Sequence, residues 1–200
     1  MADQTRVRYL ASLLLALPVL LAAEEFHLRE QRVKAPEMGE VLTYVLVCGL
    51  DEFSFIPPTD WRVRVEPDRC RLVFQPTNGA ASIFLEISGA NPALRAGTDP
   101  DSLLQQIRER FTAARIIEQF PCYTSSYAGR GFDVEWTGGG QVPMTSRVAC
   151  FATSGRTLEF TLTTMTARFR SFRPVLGALL TSFRQNRTSG APGSHEEMGP

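Results

Sequence analysis

The stretch WRVRVEPDRCRLVFQPTNGAASIFLEI, residues 61–87, decides the fold class. Trp61, Val63 and Val65 alternate with Arg62, Arg64 and Glu66, the two-residue period of a strand with one buried face. Pro67-Asp68 turns the chain into a second strand, Arg71 to Gln75. Asn78-Gly79 predicts a tight type I′ hairpin, whose two central residues need positive φ. Ile83, Leu85 and Ile87 continue the alternation beyond it.

Working outward, Val41 to Cys48 is β-rich, and Gly49-Leu50-Asp51-Glu52 turns into Phe53-Ser54-Phe55-Ile56. After a loop from Gly89 to Thr98, Asp99 suits a helix N-cap, Pro100 the first helical position, and Asp101 the positive end of the helix dipole. Leu103, Leu104, Ile107, Phe111 and Ala114 then form one apolar stripe. Four further strands are expected around residues 120–126, 132–136, 147–152 and 158–163. A last helix carries Phe172, Val175, Leu176, Leu179, Leu180 and Phe183, and Pro174 places its regular start near Ser171. The order strands, helix, strands, helix predicts one α+β domain over residues 41–186, with a central antiparallel sheet flanked by helices. Residues 24–40 read as a polar lead-in and residues 187–200 as a disordered tail.

The 200-residue chain balances 21 basic against 21 acidic side chains, so no basic stripe marks a nucleic-acid partner. Its only histidines are His27 and His195, which leaves the body of the domain without an imidazole. Ser-His-Asp and Cys-His catalysis and a catalytic zinc all need one there. Lys34 is the only lysine, which argues against Schiff-base and P-loop chemistry, and no cofactor is expected. Carboxylates, serines and cysteines without their usual activator remain.

Residues 1–23 read as an export signal. Arg6 and Arg8 give a positive start, and Leu10 to Ala23 is an uncharged apolar stretch too short to cross a bilayer. Cleavage is expected before Glu24, leaving no stable membrane span and a periplasmic or secreted domain.

Among candidate sites, Arg62 and Arg64 could grip an anionic ligand from the polar side of their strand. Alternation sends Asp133 and Glu135 outward onto a solvated face with cross-strand ion pairs, near Arg147. Gly129-Arg130-Gly131 and Gly138-Gly139-Gly140 read as hairpin turns rather than phosphate loops. Export would allow disulfides. Placement within each half of the strand order favours Cys122–Cys150 and, more weakly, Cys48–Cys70. A simple meander would instead put the 132–136 strand between Cys122 and Cys150, whose Cα atoms must lie within ~7 Å to bridge. Buried free thiols are the alternative.

Phe53-Ser54-Phe55 with Pro58 and Trp61 forms one local pattern. Leu158 to Thr163 followed by Phe169, Leu176, Leu180 and Ser182-Phe183-Arg184 forms another. Together, over roughly residues 50–185, these resemble the PsbP-like superfamily, which includes the Ran-binding Mog proteins and bacterial exported proteins. The resemblance implies an antiparallel sheet sandwiched between helices, but no role, because its members do unrelated jobs. Neither a nuclear Ran partner nor photosystem binding fits the N-terminus. Two functions are therefore expected. The first is an exported non-catalytic domain binding a protein partner or small ligand. The second is a carboxylate- or cysteine-dependent enzyme of the cell envelope. A concave pocket with two converging ionisable groups would favour the enzyme, and an exposed apolar surface would favour binding.

Overall fold

The computed structural model describes residues 25–35, 39–94, 100–111 and 113–186; the signal segment, the tail and the Asp99 cap lie outside them. Two antiparallel sheets and two α-helices form the domain. A seven-stranded sheet runs in the order β4-β5-β6-β10-β9-β8-β7. Its strands are β4 (Trp61–Glu66), β5 (Arg71–Pro76), β6 (Ala81–Gly89), β7 (Arg115–Tyr123), β8 (Ala128–Thr137), β9 (Pro143–Ala152) and β10 (Arg156–Met165). A four-stranded sheet orders β1 (Phe26–Ala35), β2 (Gly39–Cys48), β3 (Asp51–Phe55) and β11 (Arg184–Asn186) as β1-β2-β3-β11.

The helices α1 (Pro100–Arg110) and α2 (Phe169–Ser182) cover opposite faces of the larger sheet. Phe132, Val134, Val148 and Cys150 meet Leu103 and Ile107 of α1. The alternate residues of β9, Ala149 and Phe151, join Leu158, Phe160 and Leu162 in the main core with Leu176, Leu179 and Leu180 of α2. That core also takes Leu46, Phe53 and Phe55 from the smaller sheet. The expected α-β-α sandwich is thus corrected on one side, where a second sheet shares the cover with α2.

Three local expectations also change. Residues 26–35, read as lead-in, form β1 and pair with β2 along their whole length, from Phe26 opposite Cys48 to Ala35 opposite Gly39. At the Asn78-Gly79 turn only Gly79 has a positive φ, 62°, so the hairpin is not type I′. A four-residue loop closes it instead, with the Gly79 N–H on Pro76 O at 2.9 Å and the Ala80 N–H on the Asn78 side chain at 3.0 Å. Finally, α2 starts at Phe169, so Pro174 stands inside the helix rather than in its first turn.

Phe183 ends α2 in an extended conformation and is fully buried. Its ring stacks on Phe53 and Phe55 at 5.3 and 6.1 Å and meets Phe160 edge-on at 5.0 Å, joining both sheets. Each such pair adds ~0.5–1.5 kcal/mol beyond burial. Phe183→Ala should therefore lower the unfolding free energy by ~3–5 kcal/mol in a denaturant titration. An unchanged midpoint would remove the ring from the core.

Candidate functional site

The residues singled out from sequence do not converge. Arg62 and Arg64 are exposed on β4, an edge strand, and Arg64 is tied to Glu66 at 2.7 Å. Arg71 holds the other Glu66 oxygen at 2.6 Å. A charge network occupies that edge, and no concave site forms around it.

None of the four cysteines is in a disulfide, which corrects both expected bridges. Cys122 of β7 stands opposite Gly129 of β8, whereas Cys150 of β9 stands opposite Arg130. The β8 strand therefore separates them, and alternation turns them to opposite faces. Cys48 is buried on β2 of the smaller sheet, while Cys70 caps a 3₁₀ turn before β5 with φ 46°. Burial pushes the Cys122 thiol up to about 12, although a backbone hydrogen bond from Cys150 and the charge of Arg147 pull the other way.

Cys150 lies in the constellation that best fits cysteine chemistry. Its thiol is 3.8 Å from Glu159 Oε2, and Glu159 is gripped by both terminal nitrogens of Arg110 at 2.7 Å. Burial, then the Glu159 carboxylate, raises this thiol well above its ordinary range. A thiol kept protonated is a poor nucleophile.

Asp133 is not on a solvated face. It is 3% exposed and accepts two hydrogen bonds from Arg147, at 2.7 and 2.6 Å. The guanidinium lies 4.2 Å from the Phe120 ring centre and 5.8 Å from that of Phe169. Gly131 makes room for this stack, since a Cβ there would meet Phe120 Cε2 at 2.2 Å. Glu135, half-buried further along β8, pairs with Arg115 of β7. The buried pair anchors the β7–β8–β9 end of the sheet to the start of α2.

One concave feature lies where β3 leaves its sheet. Pro57 and Pro58 have no N–H to offer a ladder, so the chain exits there toward Trp61, whose N–H closes a turn on Pro58 O at 3.3 Å. The Trp61 indole meets Phe172 of α2 edge-on at 5.9 Å. The last hydrogen-bonding group before the prolines, the Ile56 N–H, donates to Ser182 Oγ at 3.1 Å. That hydroxyl donates in turn to Leu179 O at 2.9 Å. A saddle between strand exit and helix end results.

A cavity opens on each side of the saddle. One, of about 390 Å³, is walled by Val33, Val41, Thr43, Ser54, Phe55 and Arg184, with Lys34 at its rim. The other, of about 400 Å³, is walled by Pro57, Pro58, Trp61, Val175, Ala178 and Leu179. Both share Ile56 and Ser182, and Ile56 is 44% exposed. Each falls within the range of small-molecule sites, ~300–1,000 Å³. The sequence held one signal of this groove, the apolar Ile56-Pro57-Pro58 run leaving a strand. Arg184 and Lys34 went unmarked as site residues because they belong to distant segments.

No protein-family model and no curated protein matches the sequence. Among solved structures, the chain is similar to the Saccharomyces cerevisiae Ran-binding protein Mog1p, at 9% identity and a TM-score of 0.50, over 79% of this chain and 96% of that one. The chain shares the fold of that protein. It is also similar to PsbP (CyanoP) from Synechocystis, at 14% identity and a TM-score of 0.48, covering 86% of this chain and 99% of that chain. A third likeness is LpqN, involved in cell envelope biogenesis of Mycobacterium tuberculosis, at 11% identity and 0.46, covering 80% and 92%. At such identities a likeness concerns the fold alone. Among the described residues no helix is long and apolar enough to cross a membrane, and no cluster could hold a metal ion.

Two outcomes follow. Asp133→Ala should cost ~3–5 kcal/mol by stranding a buried guanidinium, and Arg147→Met in the same chain should restore most of it. Additive losses in that double-mutant cycle would show that the two side chains act independently. At pH 8, iodoacetamide should spare Cys122 and Cys150 in the native protein and label all four thiols after denaturation without reductant. A native thiol that keeps its proton to about 12 binds more protons than the unfolded chain. Stability should accordingly fall as pH rises from ~9 toward that value.

Proposed function

We propose that this chain is an exported, non-catalytic binding domain that receives a ligand or partner segment in the groove across Ile56. The observation that carries the reading is a pair of neighbouring cavities that share the exposed Ile56 and Ser182 in their walls. The ionisable side chains at the groove are Lys34 and Arg184, two cations, which form no acid–base pair. The cysteine branch of the enzyme reading would need reactive thiolates, and burial holds the Cys122 and Cys150 thiols protonated. Mog1p, on the same fold, is a Ran-binding protein, so the fold supports binding roles. Ran itself is not carried over, because residues 1–23 read as an export signal.

Native mass spectrometry of the protein isolated from outside the cytoplasm of its own cell tests this reading. The chain should begin near Glu24 and carry a bound species that Ile56→Glu removes without changing the melting temperature of the ligand-free protein. A chain retaining residues 1–23, extracted only with detergent, would overturn the export part. Equal retention by both forms would take the binding site away from the groove.

A further inference from the structure

We infer that the groove takes a single linear amphiphile, a long-chain carboxylate, with its anionic head at Arg184 and its alkyl tail across Ile56 beside α2. This rests on the binding-domain reading above and names its ligand class.

The two cavities differ in polarity along one line. The β1–β2 side carries both cations and the hydroxyls of Thr43, Ser54 and Ser125; the α2 side is walled mainly by proline, tryptophan and aliphatic side chains, with Thr59 its polar residue besides the shared Ser182. No aspartate or glutamate lines either cavity among the described residues. Glu40, opposite Lys34 on the ladder, is held 3.7 Å from Arg32.

Arg184 is set in place by one bond, from its Nε to Ser54 Oγ at 3.0 Å, while Ser54 donates onward to Asn186 Oδ1 at 2.9 Å. Among the described residues its two terminal nitrogens make no hydrogen bond or ion pair, so both donors of the guanidinium fork stay open to a carboxylate. The Thr43 hydroxyl, in the same wall, also makes no hydrogen bond among the described residues. The saddle hydroxyl of Ser182 is already spent on Ile56 N and Leu179 O, leaving the crossing point between head and tail apolar. A ligand polar throughout would leave its groups unpaired along Pro57, Pro58, Trp61 and Val175. An uncharged chain would leave the guanidinium fork unused.

Calorimetric titration of the purified protein with octanoate, decanoate and dodecanoate, below micelle formation, tests the assignment. Affinity should rise about fourfold per added methylene, as expected for burying each CH₂. Dodecanol should bind about tenfold or more weakly than dodecanoate, the loss expected for one charge-assisted hydrogen bond. Arg184→Gln should erase that difference, and Arg184→Lys should keep part of it. Ala178→Trp, at an exposed position of α2, should weaken dodecanoate and dodecanol alike by filling the tail cavity. If Arg184→Gln fails to fold, Lys34→Gln reads the head contact with a smaller loss.

An affinity independent of chain length, equal binding of alcohol and acid, or binding only to anionic phospholipid vesicles would each overturn the inference. A native species lost in Ile56→Glu alongside no alkanoate binding would overturn it too, while leaving the binding-domain reading intact.

Discussion

Phe183 is the point on which the two sheets and α2 depend together. Its backbone leaves the helix there, with its N–H on Leu180 O at 3.2 Å, and the next residue begins β11. The ring cannot follow the backbone into the smaller sheet's surface, because Phe53, Phe55 and Phe160 already enclose it. One side chain therefore fixes how far α2 slides along the core and where β11 joins β3. The Phe183 carbonyl accepts the Ser125 N–H at 3.1 Å, and the Gln185 N–H donates to Ser126 Oγ at 3.0 Å, so the outer edge of β11 is occupied by the β7–β8 loop. With α2 set in register, Ser182 can sit only beside the exit of β3.

What was legible in the sequence follows the strength of alternation. Strands β4, β6 and β10 carry clean two-residue patterns, and residues 61–87 disclosed the first two, with β5 between their antiparallel turns. The first strand did not show itself because most of its core-side positions are polar: after Phe26 and Leu28, the same face continues as Glu30, Arg32 and Lys34. Its pairing rests on the β2 ladder rather than on burial of its own side chains.

Asp133 shows the limit of alternation from the other direction. The pattern told which residues share a face with it, and even its arginine partner, but not that Phe120 and Phe169 would cover that face. The cysteines failed for want of register. Whether Cys122 and Cys150 share a face depends on the strand between them, and a one-residue shift reverses the answer. The groove was less legible still, since its walls come from residues 33–34, 41–43, 54–61 and 175–184, segments with no pattern in common.

The groove itself follows from unequal ladder lengths. β1 and β2 pair over ten residues each, yet β3 pairs with β2 only from Tyr44 to Cys48. The far half of the β1–β2 hairpin therefore overhangs, and Val33, Val41 and Thr43 lose the neighbour strand that would have covered them. A longer β3 would close this gap, but Pro57 and Pro58 cannot donate to a ladder. Ile56 is the last residue able to donate, and its N–H turns instead to the α2 end through Ser182. Two prolines thus convert a would-be sheet surface into a concave apolar path. Because that path is bounded by fixed backbone on the strand side and by a helix held through Phe183 on the other, its walls are set before anything binds. A preformed site loses little side-chain freedom on occupation, which favours affinity for a modest ligand over a broad protein interface.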